Sequence, residues 1–233
     1  RIAKAVGHEM TTTYPALTPL LGPAPGGQPL AGVSLVTRVR AKSAAHAAEA
    51  TGGFLFTHRG YSGPSILDVS HVATRSTPGA ATIRVNWTSR SADDWAADLS
   101  RAQGKVLTAV ARQLPERLAA ALMADAAVPA DRTGPELRRA ERIALIERLT
   151  ACALPWTGDE GYAKAEVTGG GVALTEVDPR TMESRRHPGL YLCGEILDAF
   201  GPIGGYNFAW AWATGRAAGL ASSEVISGRR ARK

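Results

Sequence analysis

"GEILDAFGPIGGYNFAWAWATGRAAG" spans residues 194–219, and the fold turns on how it is read. An acidic residue follows a glycine, a Gly-rich turn comes next, and a long apolar stretch rich in small residues closes the segment. Gly204 and Gly205 permit positive φ and a close approach of backbone. A helix starting at about Asn207 would present unpaired N–H groups and a partial positive charge at its first turn, a place that receives anions. Ala211, Ala213, Gly215, Ala218 and Gly219 form a face on which something can pack closely. By spacing alone the same residues equally describe an ordinary Gly-rich turn before a core helix. "LYLC" (190–193), just upstream, reads as a buried strand that delivers Gly194 and Glu195 to the turn.

Working outward, "YAKAEVT" and "VALTEVD" read as strands around the turn "GGG" (169–171). From Ser91 to Cys152 the text is helical. "SADD" (91–94) is a capping-box variant with Asp in place of Glu or Gln. Leu137, Ile143, Ile146 and Leu149 lie roughly on one side of a helix, with Arg138, Arg139, Arg142 and Arg148 on a wet face. Before Ser91 the character is β-rich. "AGVSLVTRVRA" (31–41) places Val33, Leu35, Thr37 and Val39 on one strand face. "SAAHAAEA" is ambiguous between helix and strand and leads through the turn "TGG" to the strand "FLFTH" (54–58). Ser62 is a candidate N-cap with Pro64 early in a short helix, and "ATIRVNW" (81–87) alternates again. "RIAKAVG" reads as the end of a helix with Gly7 as C-cap and without its start, the pattern of a truncated piece. The order is β-rich, helical, β-rich, then strand-turn-helix, which fits helices inserted into a β domain.

The 233 residues suffice for one large domain or two small ones. The 45% hydrophobic and 21% charged fractions are those of an ordinary globular protein. No apolar run is long enough to span a bilayer, and no signal-peptide pattern opens the chain. Cys152 and Cys193 fit neither a disulfide framework nor a zinc pattern, so a cytoplasmic location is expected. The net charge is +6, with four basic residues in the tail "SGRRARK". Basic helices and tail leave a non-catalytic, nucleic-acid-binding module as the alternative class. No aromatic residue interleaves with the tail's charges to stack on bases, and nucleic acid is not the expected partner.

Three blocks, "PALTPLL" (15–21), "GGFLFTHRGYSGPSILDVS" (52–70) and "TGGGVALTEVDPRTMESRRHPGLYLCGEILDAFGPIGGYNFAWAWATGRAAG", resemble in sequence order the BaiN/YhiN-like family of FAD-dependent, often NAD(P)/FAD-dependent, oxidoreductases. The resemblance implies an α+β fold. An α/β FAD-domain remnant carries a β-barrel-like inserted domain with a helical insertion, followed by the C-terminal strand-loop-helix of the FAD domain. The implied segments are 1–14, the end of the first FAD-domain part; 15–89, β-rich; 90–155, helical; 156–185, β-rich; and 186–233, the C-terminal FAD-domain part with the basic tail. The chain is expected to match the middle and C-terminal part of the family. The phosphate-binding G-x-G-x-x-G, which this chain lacks, would lie in a preceding portion supplied by the same gene or a second chain.

The resemblance also implies roles. Gly194 and Glu195 would meet the ribityl-phosphate part of FAD. Gly201, Gly204, Gly205, Tyr206 and Asn207 would form the loop that approaches the flavin pyrimidine edge, with Gly170 and Gly171 as a backbone wall. Phe200 stands where many relatives carry an acid and, with Ser62 and Gly63, is a candidate contact to a small-molecule substrate. His58 is the candidate acid–base group, because an imidazole titrates near neutrality. Each has a plain structural counterpart: a strand-end histidine, a cap, a hairpin turn, a core aromatic. Cys193 is expected to pack under the sheet. FAD is the expected cofactor, with NAD(P)H as a further electron donor and no metal. The expected chemistry is hydride transfer between substrate or NAD(P)H and FAD.

Overall fold

The computed structural model describes residues 2–230, and the chain divides into two compact units, one of Thr18–Lys164 and one of the residues on either side. The flanking unit begins with α1 (Ile2–Ala5), which Gly7 ends at φ +85°. The His8 amide reaches back to the Ala3 carbonyl and the Gly7 amide to that of Lys4, so a left-handed glycine satisfies carbonyls that the helix end would strand. Strand β1 (Met10–Ala16) follows.

The inserted unit is one seven-stranded antiparallel sheet with helices. β2 (Leu20–Leu21), β3 (Ser34–Lys42), β4 (Ala47–Phe56), β5 (Gly60–Ser62), β6 (Thr82–Asn86), β7 (Cys152–Ala153) and β8 (Gly158–Asp159) take the order β7-β6-β3-β4-β5-β2-β8. Period-2 alternation decides its faces. Thr37, Val39 and Ala41 of β3 are buried, as are Ile83 and Val85 of β6, while Arg38, Arg40, Lys42 and Arg84 are exposed. The sheet is open among the described residues. Its edges, β7 and β8, are two residues long, too short to exchange the ladder a closed barrel requires. The β-barrel-like expectation is corrected accordingly.

Helix α2 (Pro64–Thr74) packs on β3 and β4. Gly52 and Gly53 are not a turn but lie inside β4, where an added Cβ would sit 3.4 and 3.5 Å from Pro64. The second half of "SAAHAAEA", Ala47–Ala50, is already the start of this strand. Helices α3 (Ala92–Arg101), α4 (Val106–Ala111), α5 (Glu116–Asp125) and α6 (Arg139–Thr150) follow. The Ser91 capping box is formed: the Asp94 amide donates to Ser91 Oγ at 3.1 Å and the Ser91 amide to Asp94 Oδ2 at 2.8 Å. Leu145 and Leu149 are the buried pair of α6, whereas Ile143 is 58% exposed. Helix α6 starts only at Arg139, so Leu137 does not set its phase. The helices close over the sheet on a core that includes Phe54, Phe56, Trp87, Trp95 and Leu118.

The flanking unit resumes with β9 (Val167–Val172), antiparallel to β1 from Met10↔Val172 to Ala16↔Val167, and ends in α7 (Tyr206–Arg230). Its own core comprises Ala3, Val172, Val177, Met182, Leu192, Leu197 and Ala218. "LYLC" is not a regular strand. It makes one bridge, Glu183↔Tyr191, because its paired neighbour is the short returning segment Met182–Ser184. Cys193 is exposed, not packed beneath a sheet. No helix among the described residues is long and apolar enough to cross a membrane. The basic tail's last residues, 231–233, lie outside the described residues.

Candidate functional site

Three consecutive glycines set the flanking unit's geometry. An added Cβ would meet the Tyr14 ring at 2.3 Å from Gly169, the Thr12 carbonyl oxygen at 2.4 Å from Gly170, and the Ile196 carbonyl oxygen at 2.5 Å from Gly171. Gly170 (φ +80°) and Gly171 (φ +131°) also adopt backbone that side chains rarely take. The "GGG" run is therefore strand interior, and the hairpin reading is corrected: glycine is needed for close approach of β1 on one side and the 194–197 loop on the other. The Asp198 amide donates to the Val172 carbonyl at 2.8 Å, which locks that loop to β9.

Helix α7 holds the loop from its other side. Thr214 Oγ1 accepts from the Gly194 amide at 2.9 Å and donates to the Trp210 carbonyl at 2.7 Å. Trp210 Nε1 donates to the Gly194 carbonyl at 3.2 Å. Asn207 clamps the turn: its Oδ1 accepts from the Gly201 amide at 2.8 Å and its Nδ2 donates to the Gly201 carbonyl at 3.0 Å. Gly204 (φ +123°) and Gly205 (φ +90°) then lead into the helix, with nothing within 4 Å of a Cβ placed on Gly205. Of the expected small-residue face, Ala218 is buried and Ala211 half-buried against the loop; Ala213 and Gly219 are exposed. The inward spacing is Asn207, Trp210, Ala211, Thr214, Ala218.

A cavity of about 410 Å³ opens where β9, the loop and the start of α7 meet. Leu17, Val167, Phe200, Ile203 and Trp210 give it apolar walls, and Glu166, Glu195 and Asn207 are its polar groups. Glu195 is fixed in place, because its Oε1 accepts from the Thr168 amide at 2.7 Å. Leu17 takes a positive φ of 54° at the end of β1, a conformation that costs a non-glycine residue about 1–3 kcal/mol and clusters at functional sites.

Of the residues singled out in the sequence, the cavity brings together Glu195, Phe200, Gly204, Gly205 and Asn207. Gly194 and Gly201 hydrogen-bond to Thr214, Trp210 and Asn207 of α7, Gly170 is buried against β1 and Gly171 under the loop, and Tyr206 is exposed with its Cβ region against Gly201. His58, Ser62 and Gly63 belong to the inserted unit. His58 is exposed on the turn joining β4 to β5. Ser62 is a ladder residue opposite Leu55, and the N-cap of α2 is Gly63 at φ +90°, so the capping expectation moves by one residue. Leu17, Glu166, Val167 and Trp210 carry no site signal of their own in the sequence. Trp210 could have been found at i+3 from Asn207; Leu17 and Glu166 arrive through pairing distant in sequence.

A second constellation lies in the same unit. His8 Nδ1 is 2.9 Å from Glu176 Oε2, and His8 Nε2 is 3.1 Å from Ser184 Oγ. The connectivity is that of a Ser-His-acid relay. Its serine, however, is buried and already accepts the Arg186 and His187 amides at 3.1 and 2.9 Å. It serves as a tether between the start of the chain and the 176–187 segment. Arg186, bidentate on Glu176, and then His8 hold that carboxyl down to about 2. In the same segment Met182 packs in the core, and Glu183 Oε1 accepts the Gly189 amide at 2.7 Å. Among the described residues no cluster of His, Cys, Asp or Glu is arranged to hold a metal ion.

The profile of the family described as HI0933-like protein Rossmann domain matches residues 1–221. The chain belongs to that family. It is a family of FAD-binding, flavoprotein-type Rossmann domains, and the match runs from residue 1, which corrects the expectation of a match to the middle and C-terminal part alone. A ribosomal RNA dihydrouridine synthase of Escherichia coli is 36% identical over 194 residues, 80% of this chain and 46% of that protein. Its namesake from Haemophilus influenzae is 34% identical over 169 residues, 72% and 42% of the two chains. A 3-dehydro-bile acid delta(4,6)-reductase of Clostridium scindens is 32% identical over 232 residues, 96% and 57%. The chain thus spans about half the length of the curated relatives it matches.

The cavity fits, in size and lining, part of the FAD that the family binds. It is apolar, within the roughly 300–1,000 Å³ of ligand pockets, bordered by one anchored carboxylate and by a helix start with open space above Gly205.

Proposed function

We propose that this chain carries the flavin-ring half of the FAD site of an oxidoreductase. The observation that supports it most strongly is the juxtaposition in one cavity of Glu195, the Gly204-Gly205 turn and the apolar walls Phe200 and Trp210. FAD supplies hydride chemistry when bound. The chain's own residues bind and orient. The open start of α7 favours negative charge at the pyrimidine edge, and Glu195, steadied by Thr168, offers its remaining oxygen to a ribityl hydroxyl. Phe200, Trp210 and Ile203 exclude water from the ring.

The relatives' names fit this chemistry at the level of class. One is a reductase and two are dihydrouridine synthases, so the reading extends to reduction of an unsaturated substrate with NAD(P)H as donor. The adenosine and pyrophosphate contacts fall to polypeptide corresponding to the unmatched half of those relatives. Helix α7 supports this: Phe208 and Trp212 are 68% and 74% exposed, an apolar surface suited to covering by such a partner. A cytoplasmic location belongs to the same reading, since Cys152 and Cys193 are free thiols.

The test is titration of the purified chain with FAD, following flavin fluorescence. Saturable quenching that weakens at least tenfold in Gly205→Val supports the proposal. Quenching unaffected by that change, in a variant whose circular dichroism matches the parent, removes the cavity from it.

A further inference from the structure

Tyr14 is buried on β1, yet it belongs to neither hydrophobic core. Its ring covers Gly169, the residue opposite it on β9, so closely that no Cβ would fit there. The strand is irregular where it delivers that ring. Thr11 pairs with Gly171 and Tyr14 with Gly169, so β1 carries one residue more than β9 between the two pairs. A shift of one residue turns the following side chains to the other face, and bulges of this kind re-aim a side chain and gather beside functional sites. Glycine accommodates the bulge, because the Thr12 carbonyl stands where a side chain of Gly170 would be. The Tyr14 ring also meets Phe200 edge to face, with 6.4 Å between centroids and 80° between planes. Phe200 is half-buried, stands in a stretch without helix or strand, and lines the cavity. The position of its ring therefore depends on the side chains packed against it.

We infer that Tyr14 is a positioning residue: it braces Phe200 from outside the cavity and so gives the cavity a rigid aromatic wall for a planar ring. Edge-to-face pairs are favoured because the positive edge of one ring meets the negative face of the other. A wall already held in one rotamer costs a ligand less ordering on binding. Without the Tyr14 ring, Phe200 is free to turn back into the vacated space, and the cavity loses that wall. Tyr14 is not among the residues that line the cavity, so it acts through Phe200. The consequence for flavin rests on the FAD reading of this cavity; the bracing of Phe200 does not.

Two measurements on the full chain test it. The first needs no flavin. The chain has four phenylalanines, and with ring-¹³C-labelled Phe the Phe200→Leu variant identifies the Phe200 signals. In Tyr14→Leu those signals should move and broaden as the ring samples more than one rotamer, while in Tyr14→Phe, which keeps the edge-to-face contact, they should stay sharp. The second is the FAD titration. Tyr14→Leu should weaken binding about fivefold, the middle of what such a pair contributes, and Tyr14→Phe less than about twofold. In the Phe200→Leu background Tyr14→Leu should add less than about twofold, because its effect runs through Phe200. Tyr14→Met takes the place of Tyr14→Leu if circular dichroism shows the latter unfolded. Sharp, unmoved Phe200 signals in Tyr14→Leu, or an equal loss of affinity in both backgrounds, would overturn the inference. Phe200 signals that respond as expected in a chain that does not quench FAD would support the bracing and remove the flavin reading instead.

Discussion

Gly171 and Gly205 are both at positive φ, yet they are glycine for different reasons. At Gly171 a side chain would strike the Ile196 carbonyl; at Gly205 it would meet nothing. Gly205→Ala should therefore cost only the backbone strain of about 1–2 kcal/mol. Gly171→Ala should cost more, because the loop must also leave β9. Urea unfolding of the two variants measures the difference. Glu176 yields a pH prediction. Its carboxyl is lowered from the ordinary 4.5 to about 2, chiefly by Arg186 and then by His8. Its contribution to stability is thus complete above about pH 4.5 and is lost as pH falls toward 2. Glu176→Gln should flatten acid unfolding over that window, read as the melting temperature against pH. The residue types of the turn were legible in the sequence, down to Glu195, Gly204, Gly205 and Asn207. The burial of Gly170 and Gly171 was not, since a glycine run in text signals a turn and only the partners across β1 and the loop reveal a strand.

At the scale of elements, α7 organises the site through a few inward groups. Thr214→Val keeps the shape but leaves the buried Gly194 amide without its acceptor. The expected loss is about 1–3 kcal/mol by chemical denaturation. The loop should loosen with it, seen as faster amide exchange at Gly194 and Leu197. Elements whose signals are local were readable. The Ser91 capping box and the alternation of β3 stand in the structure as the residue pattern requires. "LYLC" has the text of a strand and is not one, because an apolar run says nothing about whether neighbours exist to pair it. The faces of α7 were half readable: Ala218 is buried and Ala211 half-buried against the loop, but Ala213 and Gly219 are exposed, and spacing alone does not say where a long helix's packing stops.

For the molecule as a whole, the inserted unit is entered and left through adjacent strands, because Leu20 of β2 pairs with Asp159 of β8. It has its own core around Trp87 and Trp95. A chain of residues 18–164 should therefore fold alone, with one cooperative urea transition and native-like tryptophan fluorescence; a broad, non-cooperative transition would show that its core is not self-sufficient. The insertion of helices into a β-rich segment could be read from the order of patterns. The open sheet could not, because closure depends on edge strands only two residues long whose partners lie far away in sequence. The flavin reading rests on the cavity at β9, the 194–205 loop and α7. Its most direct test is a ¹H–¹⁵N correlation spectrum of the labelled chain during titration with FAD to millimolar excess, a concentration at which even weak binding registers. Saturable shifts confined to the amides of Val167, Thr168, Glu195, Gly204, Gly205 and Asn207 are the result predicted. Saturation with those six amides unmoved, or shifts centred elsewhere, would contradict that reading.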